Sequence, residues 1–167
     1  LRSLLKDEGL LFLGLYSFNA RDFMLGKCRD IISDNNFDKT DLSIYKFRKL
    51  ILDDKTNYNE LDNLKLTKFK LFRDFYSLSG LRDLLFNEHE IEYTIPEIRE
   101  LLIKSNFDFI NFQFNNYSKI KMNIDNFNNN SSFTLTTNKL DNWEIFEKKH
   151  PITFIENFNM WLKKTSV

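Results

Sequence analysis

The chain has 167 residues, the size of one domain with a core of its own. Lysine and arginine together number 24, as do aspartate and glutamate, so the formal net charge is +0 and the chain as a whole does not attract nucleic acid or anionic membrane. The single cysteine excludes an intramolecular disulfide framework and a cysteine-rich zinc cluster, and it fits a reducing compartment. We therefore expect a cytoplasmic protein.

The first pronounced apolar segment spans residues 10–16 and predicts a strand that is apolar on both faces. Such a strand is typical of the centre of a parallel sheet that helices cover on both sides. We expect its partner strands to come from upstream of Leu1, because the sequence begins without an initiator methionine and reads as a piece of a longer chain. Apolar runs stay well short of the roughly 18 residues that a membrane span needs, so a membrane partner is not expected.

The middle of the chain is predicted to be helical. Apolar spacing indicates helices over residues 20–32 and 78–86 and another capped by Asp41, whereas residues 66–72 fit a helix or a strand. The best local signal is a capping box, in which Thr94 precedes Glu97 by three residues and Pro96 lies in the first turn. It predicts a helix from Ile95 to about residue 104.

The last third is predicted to hold strands followed by helices. Residues 107–114 predict a strand with a bulge, and residues 115–116 a turn into a second strand over 120–124, which would form a hairpin. An asparagine-rich loop over 125–132 and helices over 140–149 and 152–164 complete the chain. The fold class is therefore α/β, a single partial domain that is mostly helical with two or three strands.

Two polar groups are candidates for a site. Tyr16 and Ser17 end the first strand and Arg21 lies one turn further on, so they would face the crevice in which open α/β sheets bind ligands. Alternatively, Ser17 or Asn19 caps the following helix and Arg21 lies on the surface. The second group is residues 74–79, rich in hydrogen-bonding side chains, where helix capping by Ser77 or Ser79 is the alternative.

Few other residues suggest chemistry. His89 lies between Glu88 and Glu90, whose carboxylates would favour the imidazolium form, so this turn could transfer protons or be a solvated charged turn. Helical metal-ligand spacing is absent for the two histidines, which argues against a zinc site. Cys28 is expected to be a helix core residue, because no histidine or aspartate in a suitable position activates it.

Four segments in series resemble the carboxyl-terminal part of a bacterial class I S-adenosylmethionine-dependent methyltransferase family, whose members are often fused behind tetratricopeptide repeats. The matching positions are residues 8–17 with Ala20 and Arg21, residues 74–80 and 82–86, residues 94–98, and Trp143, Phe146, Glu147, Pro151, Thr153, Phe154 and Trp161. The family carries histidines at positions where this chain has Asn87 and Ile91. The resemblance runs from end to end of the chain.

The resemblance implies that residues 10–16 are the fifth strand of a seven-strand Rossmann-like sheet, whose upstream half holds a glycine-rich loop and binds S-adenosylmethionine. That half, with tetratricopeptide repeats where present, is the expected partner, and the fragment alone is expected to be inactive and to bind no cofactor. Methyl transfer needs mainly that the acceptor be held in line with the methyl group. The expected roles are an acceptor pocket shaped by Tyr16, Ser17 and Arg21, its closure by Tyr76, Ser77 and Asp83, and proton acceptance by Glu90 or His89.

Two other classes of function are open. The chain could be a non-catalytic helical module whose helices dock a protein partner through Trp143 and Trp161. Nucleic-acid binding has some support from basic residues between aromatic ones, but the acidic neighbours and the zero net charge oppose it. The residues concerned are Lys65, Lys68, Lys70 and Arg73 with Phe69 and Phe72.

Overall fold

The computed structural model describes residues 2–53, 58–87, 89–130 and 134–165, with the backbone alone at positions 117 and 119. The chain forms two compact units. The first contains Leu1–Ala20 and Glu92–Val167, and the second contains Arg21–Ile91. Each unit is described by itself below.

The described residues contain seven α-helices and four strands, so the predicted α/β class is confirmed. The strands are β1 (Leu10–Ser17), β2 (Glu92–Tyr93), β3 (Phe107–Phe112) and β4 (Phe158–Lys164). The helices are α1 (Phe18–Asp34), α2 (Asp41–Leu52), α3 (Glu60–Phe69), α4 (Leu78–Leu85), α5 (Ile95–Ser105), α6 (Tyr117–Asn129) and α7 (Leu140–Lys149). Three 3₁₀ turns lie at Arg2–Leu4, Arg73–Tyr76 and Pro151–Phe154.

The four strands form one mixed sheet in the first unit, in the order β2-β1-β4-β3. β1 runs parallel to β2 and antiparallel to β4, and β3 is also antiparallel to β4. β1 and β3 therefore point in the same direction, and their carboxyl ends lie at the same edge of the sheet. The bulge predicted in β3 is confirmed as a register shift between Phe109 and Asn111.

β1 lies inside the strand order, as predicted. Its partners in the described chain are β2 and β4, which both follow it in sequence, and partner strands from upstream stay a prediction. The expectation that β1 is covered on both faces is wrong, since alternate side chains are exposed, with Leu10 at 55% and Phe12 at 45%. Only the face that carries Leu11, Leu13 and Leu15 packs against the core.

One edge of β1 is largely open. β2 pairs with β1 only at Tyr16 and Ser17, whereas β4 pairs with it along Leu10 to Leu15 on the other side. Among the described residues, no strand lies against the remaining edge over residues 10–15. A sheet edge of this length with an apolar exposed face is a ready template for pairing with another strand.

The core of the first unit is a cluster of aromatic rings between the sheet and α7. The Phe112 ring lies 4.6 Å from that of Phe154 and 5.5 Å from that of Trp143, and Phe158 lies 4.5 Å from Phe154. These aromatic side chains are at most 5% exposed. Much of the high phenylalanine content therefore provides buried apolar area.

Two predicted elements of this unit are wrong. Residues 120–124 are not the second strand of a hairpin but part of α6, which buries Ile120, Ile124 and Phe127 on one face and leaves Met122 exposed. The helix continues to Asn129, so most of the predicted asparagine-rich loop is helical, and residues 131–133 lie outside the described residues. Apolar residues spaced four and three positions apart, as on one face of a helix, decide the structure here.

Residues 152–164 are likewise not a helix. They form a 3₁₀ turn and then β4, where Phe158, Met160 and Leu162 are fully buried. This spacing of two is the period of a strand. The predicted helices at 140–149 and at Ile95 are confirmed, and the Thr94 capping box is present with both of its reciprocal hydrogen bonds.

The second unit consists of α1 beyond Ala20 and of α2 to α4. α2 is capped by the Thr40 side chain rather than by Asp41, and the ambiguous residues 66–72 contribute to the end of α3. Phe47, Phe69 and Phe75 are fully buried. Cys28 is also buried, as predicted, and burial raises the pKa of its thiol to about 12, so it is protonated and unreactive.

The open edge of β1 predicts an alternating pattern of hydrogen exchange in the 167-residue chain. In an antiparallel pair every second amide of a strand bonds to the partner strand, so between Leu10 and Gly14 every second amide should be protected by β4 and the amides between them should exchange fast. Residue-resolved hydrogen exchange by NMR measures this. Uniform protection of these five consecutive amides would contradict the open edge.

Candidate functional site

The carboxyl end of β1 is a polar, buried junction with α1. Ser17 is 1% exposed, and its Oγ accepts a hydrogen bond of 3.1 Å from the backbone N–H of Ala20, which caps α1. The capping alternative for Ser17 is therefore confirmed. The same hydroxyl donates a hydrogen bond of 2.8 Å to Oε1 of Glu147. Tyr16, the preceding residue, remains 37% exposed at this end of the strand.

Glu147 is the buried acid of this junction. It lies on α7, is 1% exposed, and accepts a hydrogen bond of 2.8 Å at Oε2 from the side-chain amide of Asn19. Both carboxyl oxygens are thus held by neutral donors from the β1–α1 turn. Burial raises the pKa of Glu147, and the hydrogen bonds from Asn19 and Ser17 oppose that rise. The group fixes the end of β1 against α7.

Sequence reasoning did not include Glu147 among the site residues. A signal was available, because Glu147 lies on the side of α7 that also carries the apolar Leu140, Trp143 and Phe146. An acid within an apolar helical face is either buried with a partner or functional. Its partner Ser17 is 130 residues away in sequence, so that contact was not visible in any local pattern.

Within the second unit, Arg21 and Glu90 form an ion pair. Their side chains are 10% exposed each and Nη1 lies 2.7 Å from Oε1. Arg21 is therefore not a surface residue, and the alternative that placed it there is wrong. Taking two charges out of water requires that each keep its partner, so the geometry of the pair supports a structural role for both residues.

The other predicted residues of the second unit lie at separate places. Asp83 and His89 are exposed and line a shallow depression together with Lys39 and Arg82. Tyr76 is 68% exposed and lines a different depression beside Tyr45.

Ser77 caps α4 by accepting a hydrogen bond of 2.9 Å from the backbone N–H of Gly80, so the capping alternative is confirmed there as well. The catalytic roles of His89 and Glu90 and the acceptor-binding role of the other residues stay predictions. The aromatic residues proposed for nucleic-acid stacking are not all accessible, since Phe69 is fully buried.

The chain matches no protein-family model and no curated protein. Within the described ranges, no three histidine, cysteine, aspartate or glutamate side chains are grouped so that they could hold a metal ion. The helices of that part of the chain include none with the length and apolar composition needed to cross a membrane.

The burial of Glu147 predicts a specific pH dependence of stability. Because its pKa is raised in the folded state, its contribution to stability is complete below the ordinary glutamate value of about 4.3 and is lost as pH rises through the folded pKa. Glu147→Gln removes this loss. The free energy of unfolding of the variant, relative to that of the parent, should therefore increase with pH across this window.

Glu144 on the same helix provides a control of opposite sign. Hydrogen bonds from Lys148 and Arg99 lower its pKa, so its contribution is present above the ordinary value and lost in acid. Relative to the parent, Glu144→Gln should therefore lose stability as pH rises. Denaturant unfolding, followed by the fluorescence of Trp143 and Trp161 in this unit, measures both. Slopes of the same sign for the two variants would contradict the assignment of Glu147.

The Arg21–Glu90 pair predicts strong coupling between these residues. Glu90→Ala or Arg21→Ala alone should destabilise the fold by about 3 to 5 kcal/mol, because each leaves a buried charge without its partner. The double change Arg21→Met with Glu90→Leu should recover most of that loss. Denaturation followed by far-ultraviolet circular dichroism measures the stability of the parent and of the single and double variants.

An exposed pair supplies the control for this cycle. Glu100 and Lys104 are more than two-thirds exposed, so Glu100→Gln should change the stability by about 0.5 kcal/mol or less. A loss of that small size for Glu90→Ala would show that the ion pair is not structural.

Proposed function

We propose that this chain is the substrate-side half of an S-adenosylmethionine-dependent methyltransferase, and that further strands of the enzyme pair along the open edge of β1. The observation that carries the proposal is that edge. Within the described chain, residues 10–15 are paired on one side only, and their exposed face carries Leu10 and Phe12. An unguarded apolar edge of this length is an aggregation hazard unless another strand covers it.

The strand directions support the idea that these four strands belong to a larger α/β sheet. β1 and β3 are parallel, with the antiparallel β4 between them, and doubly wound sheets often carry an antiparallel strand towards one side. Helices connect β1 to the parallel β2, and α5 connects β2 to β3, as crossovers between parallel strands require.

The carboxyl end of β1 is placed where ligands bind and is held firmly enough to present binding residues. Open α/β sheets bind ligands outside the carboxyl ends of their strands. Tyr16 is exposed there, and Ser17 is fixed by Glu147. Methyl transfer requires the acceptor to be held in line and needs no protein nucleophile, so Tyr16 positions the acceptor and Glu147 positions Tyr16 by fixing the following residue.

The cofactor belongs to the other half of the enzyme. S-adenosylmethionine would supply the methyl group, and the upstream half, preceded by tetratricopeptide repeats in the family that the sequence resembles, is the partner of this chain. The rival interaction module receives less support, because Trp143 is 1% exposed and Trp161 lies on β4 against the ring of Phe12.

The test compares the 167-residue chain with the longest reading frame that contains it. Calorimetry should show S-adenosylmethionine binding to the longer protein and none to the 167 residues alone. Binding by the short chain, or none by the long one, would overturn the proposal.

A variant of the longer protein tests the role of Tyr16. Tyr16→Ala should lower methyl transfer from a labelled donor to an extract of candidate acceptors by about 100-fold, as a misplaced acceptor would, while the Kd of the donor stays unchanged. Tyr45→Ala is the matched control, since Tyr45 is an exposed tyrosine on α2. Equal rates for Tyr16→Ala and Tyr45→Ala would remove Tyr16 from the site.

A further inference from the structure

A cavity of about 240 Å³ lies in the first unit, at the carboxyl end of β3 and the amino end of β4. α6 and the segment after α7 complete its walls. Because β1 and β3 are parallel, the cavity opens at the edge of the sheet where open α/β folds bind ligands. Its lining includes none of the candidate site residues named in the sequence analysis.

Six of the residues that line this cavity carry side-chain amides. Each amide offers both a donor group and an acceptor oxygen. The amide residues are Gln113, Asn115, Asn116, Asn123, Asn157 and Asn159. An apolar wall is supplied by Phe114, Ile120, Ile152 and Ile155. The described lining therefore combines neutral hydrogen-bonding groups with a larger apolar surface.

Little charge faces the cavity from its described lining. Burial lowers the pKa of His150, and Lys149 adds to that effect, so the imidazole is neutral at neutral pH. Glu156 is the one carboxylate of the described lining, and the side-chain amide of Asn115 donates to it. The lining includes no lysine or arginine side chain that the structure describes.

One acceptor in the cavity wall has no partner within the described protein. The Oδ1 atom of Asn157 is buried and accepts no hydrogen bond. The atom is closed to solvent, so a ligand in the cavity can donate to it only after the Asn157 side chain turns.

One contact orients an amide of the cavity. The indole N–H of Trp161 donates a hydrogen bond of 2.7 Å to Oε1 of Gln113, which sets the orientation of that amide. Gly14 of β1 leaves room for another, because a Cβ atom there would lie 3.1 Å from Oδ1 of Asn159. The sheet therefore orients the Gln113 amide and accommodates that of Asn159.

We propose that this cavity binds a neutral, polyhydroxylated molecule the size of one sugar ring. Hydroxyl groups donate and accept, and so match amides that do the same, while the apolar wall suits the C–H face of such a ring. The volume is below the roughly 300 to 1,000 Å³ of pockets for larger ligands. The inference rests on the cavity alone and goes beyond the proposed methyl transfer.

The test uses the longest reading frame that contains the chain and a panel of methyl glycosides of neutral hexoses and 6-deoxyhexoses. Saturation-transfer NMR and calorimetry should detect saturable binding of at least one of them, and equimolar inorganic phosphate should not compete. Absence of saturable binding across the panel at millimolar concentration, or displacement by phosphate, would overturn the proposal.

Variants locate the binding site. Asn157→Ala should weaken binding about tenfold, the effect of losing one hydrogen bond, and Asn123→Ala on α6 gives a second probe if the first variant does not fold. Asn126→Ala, an exposed asparagine on the same helix, should bind like the parent. Unchanged affinity in both cavity variants would place the ligand elsewhere and refute the proposal.

The outcome separates this inference from the proposed function. Glycoside binding without S-adenosylmethionine binding would support the cavity and defeat the methyltransferase. Cofactor binding and methyl transfer without glycoside binding would do the reverse.

Discussion

The pairing of β1 with β4 is the constraint on which the first unit depends. Six successive pairs, from Leu10 with Lys163 to Leu15 with Phe158, join the two ends of the described chain. They pack the partly buried Leu11, Leu13 and Leu15 against the aromatic core and leave the opposite edge of β1 without a strand in the described chain. The same pairing brings Gly14 beside Asn159 and ends at the Tyr16–Ser17 corner. The open edge, the fixed corner and the amide cavity all follow from this register.

The two units hold their buried carboxyl groups in different ways. Glu147 receives hydrogen bonds from the neutral Ser17 and Asn19, and burial still raises its pKa. Glu90 has the Arg21 guanidinium as its counter-ion. A charge with a counter-ion is held in place because separation is costly, whereas a carboxyl held by neutral donors can exist with or without its proton.

The sequence predicted correctly those elements that depend on interactions between residues close together in the chain. The Thr94 capping box, the apolar run of β1 and the bulge of β3 each lie within a few residues, and the structure confirms them. The wrong secondary-structure predictions fall in short segments whose apolar residues fit both the helical and the strand period. Phe154, Phe158 and Trp161 are spaced as in a helix, yet it is the alternation within β4 that fits the sheet, and only the pairing with β1 decides between them.

The site was less predictable than the fold because it is made of distant contacts. Ser17 was found from its place at the end of a strand, but the acid that fixes it lies 130 residues away. The amides of the cavity come from segments that the sequence predicted as a hairpin and a helix. Abundant asparagine is uninformative until the fold shows which of its side chains face a common space.

The open edge of β1 requires further strands to complete it, whereas the amide cavity does not. The edge is incomplete in the described chain, because half of the hydrogen-bonding groups of β1 over residues 10–15 have no strand to pair with. The cavity is lined by residues of one unit, with the Gln113 amide already oriented by Trp161. A preformed site loses less conformational entropy on binding, so the cavity can recognise a small ligand without the strands that the edge still needs.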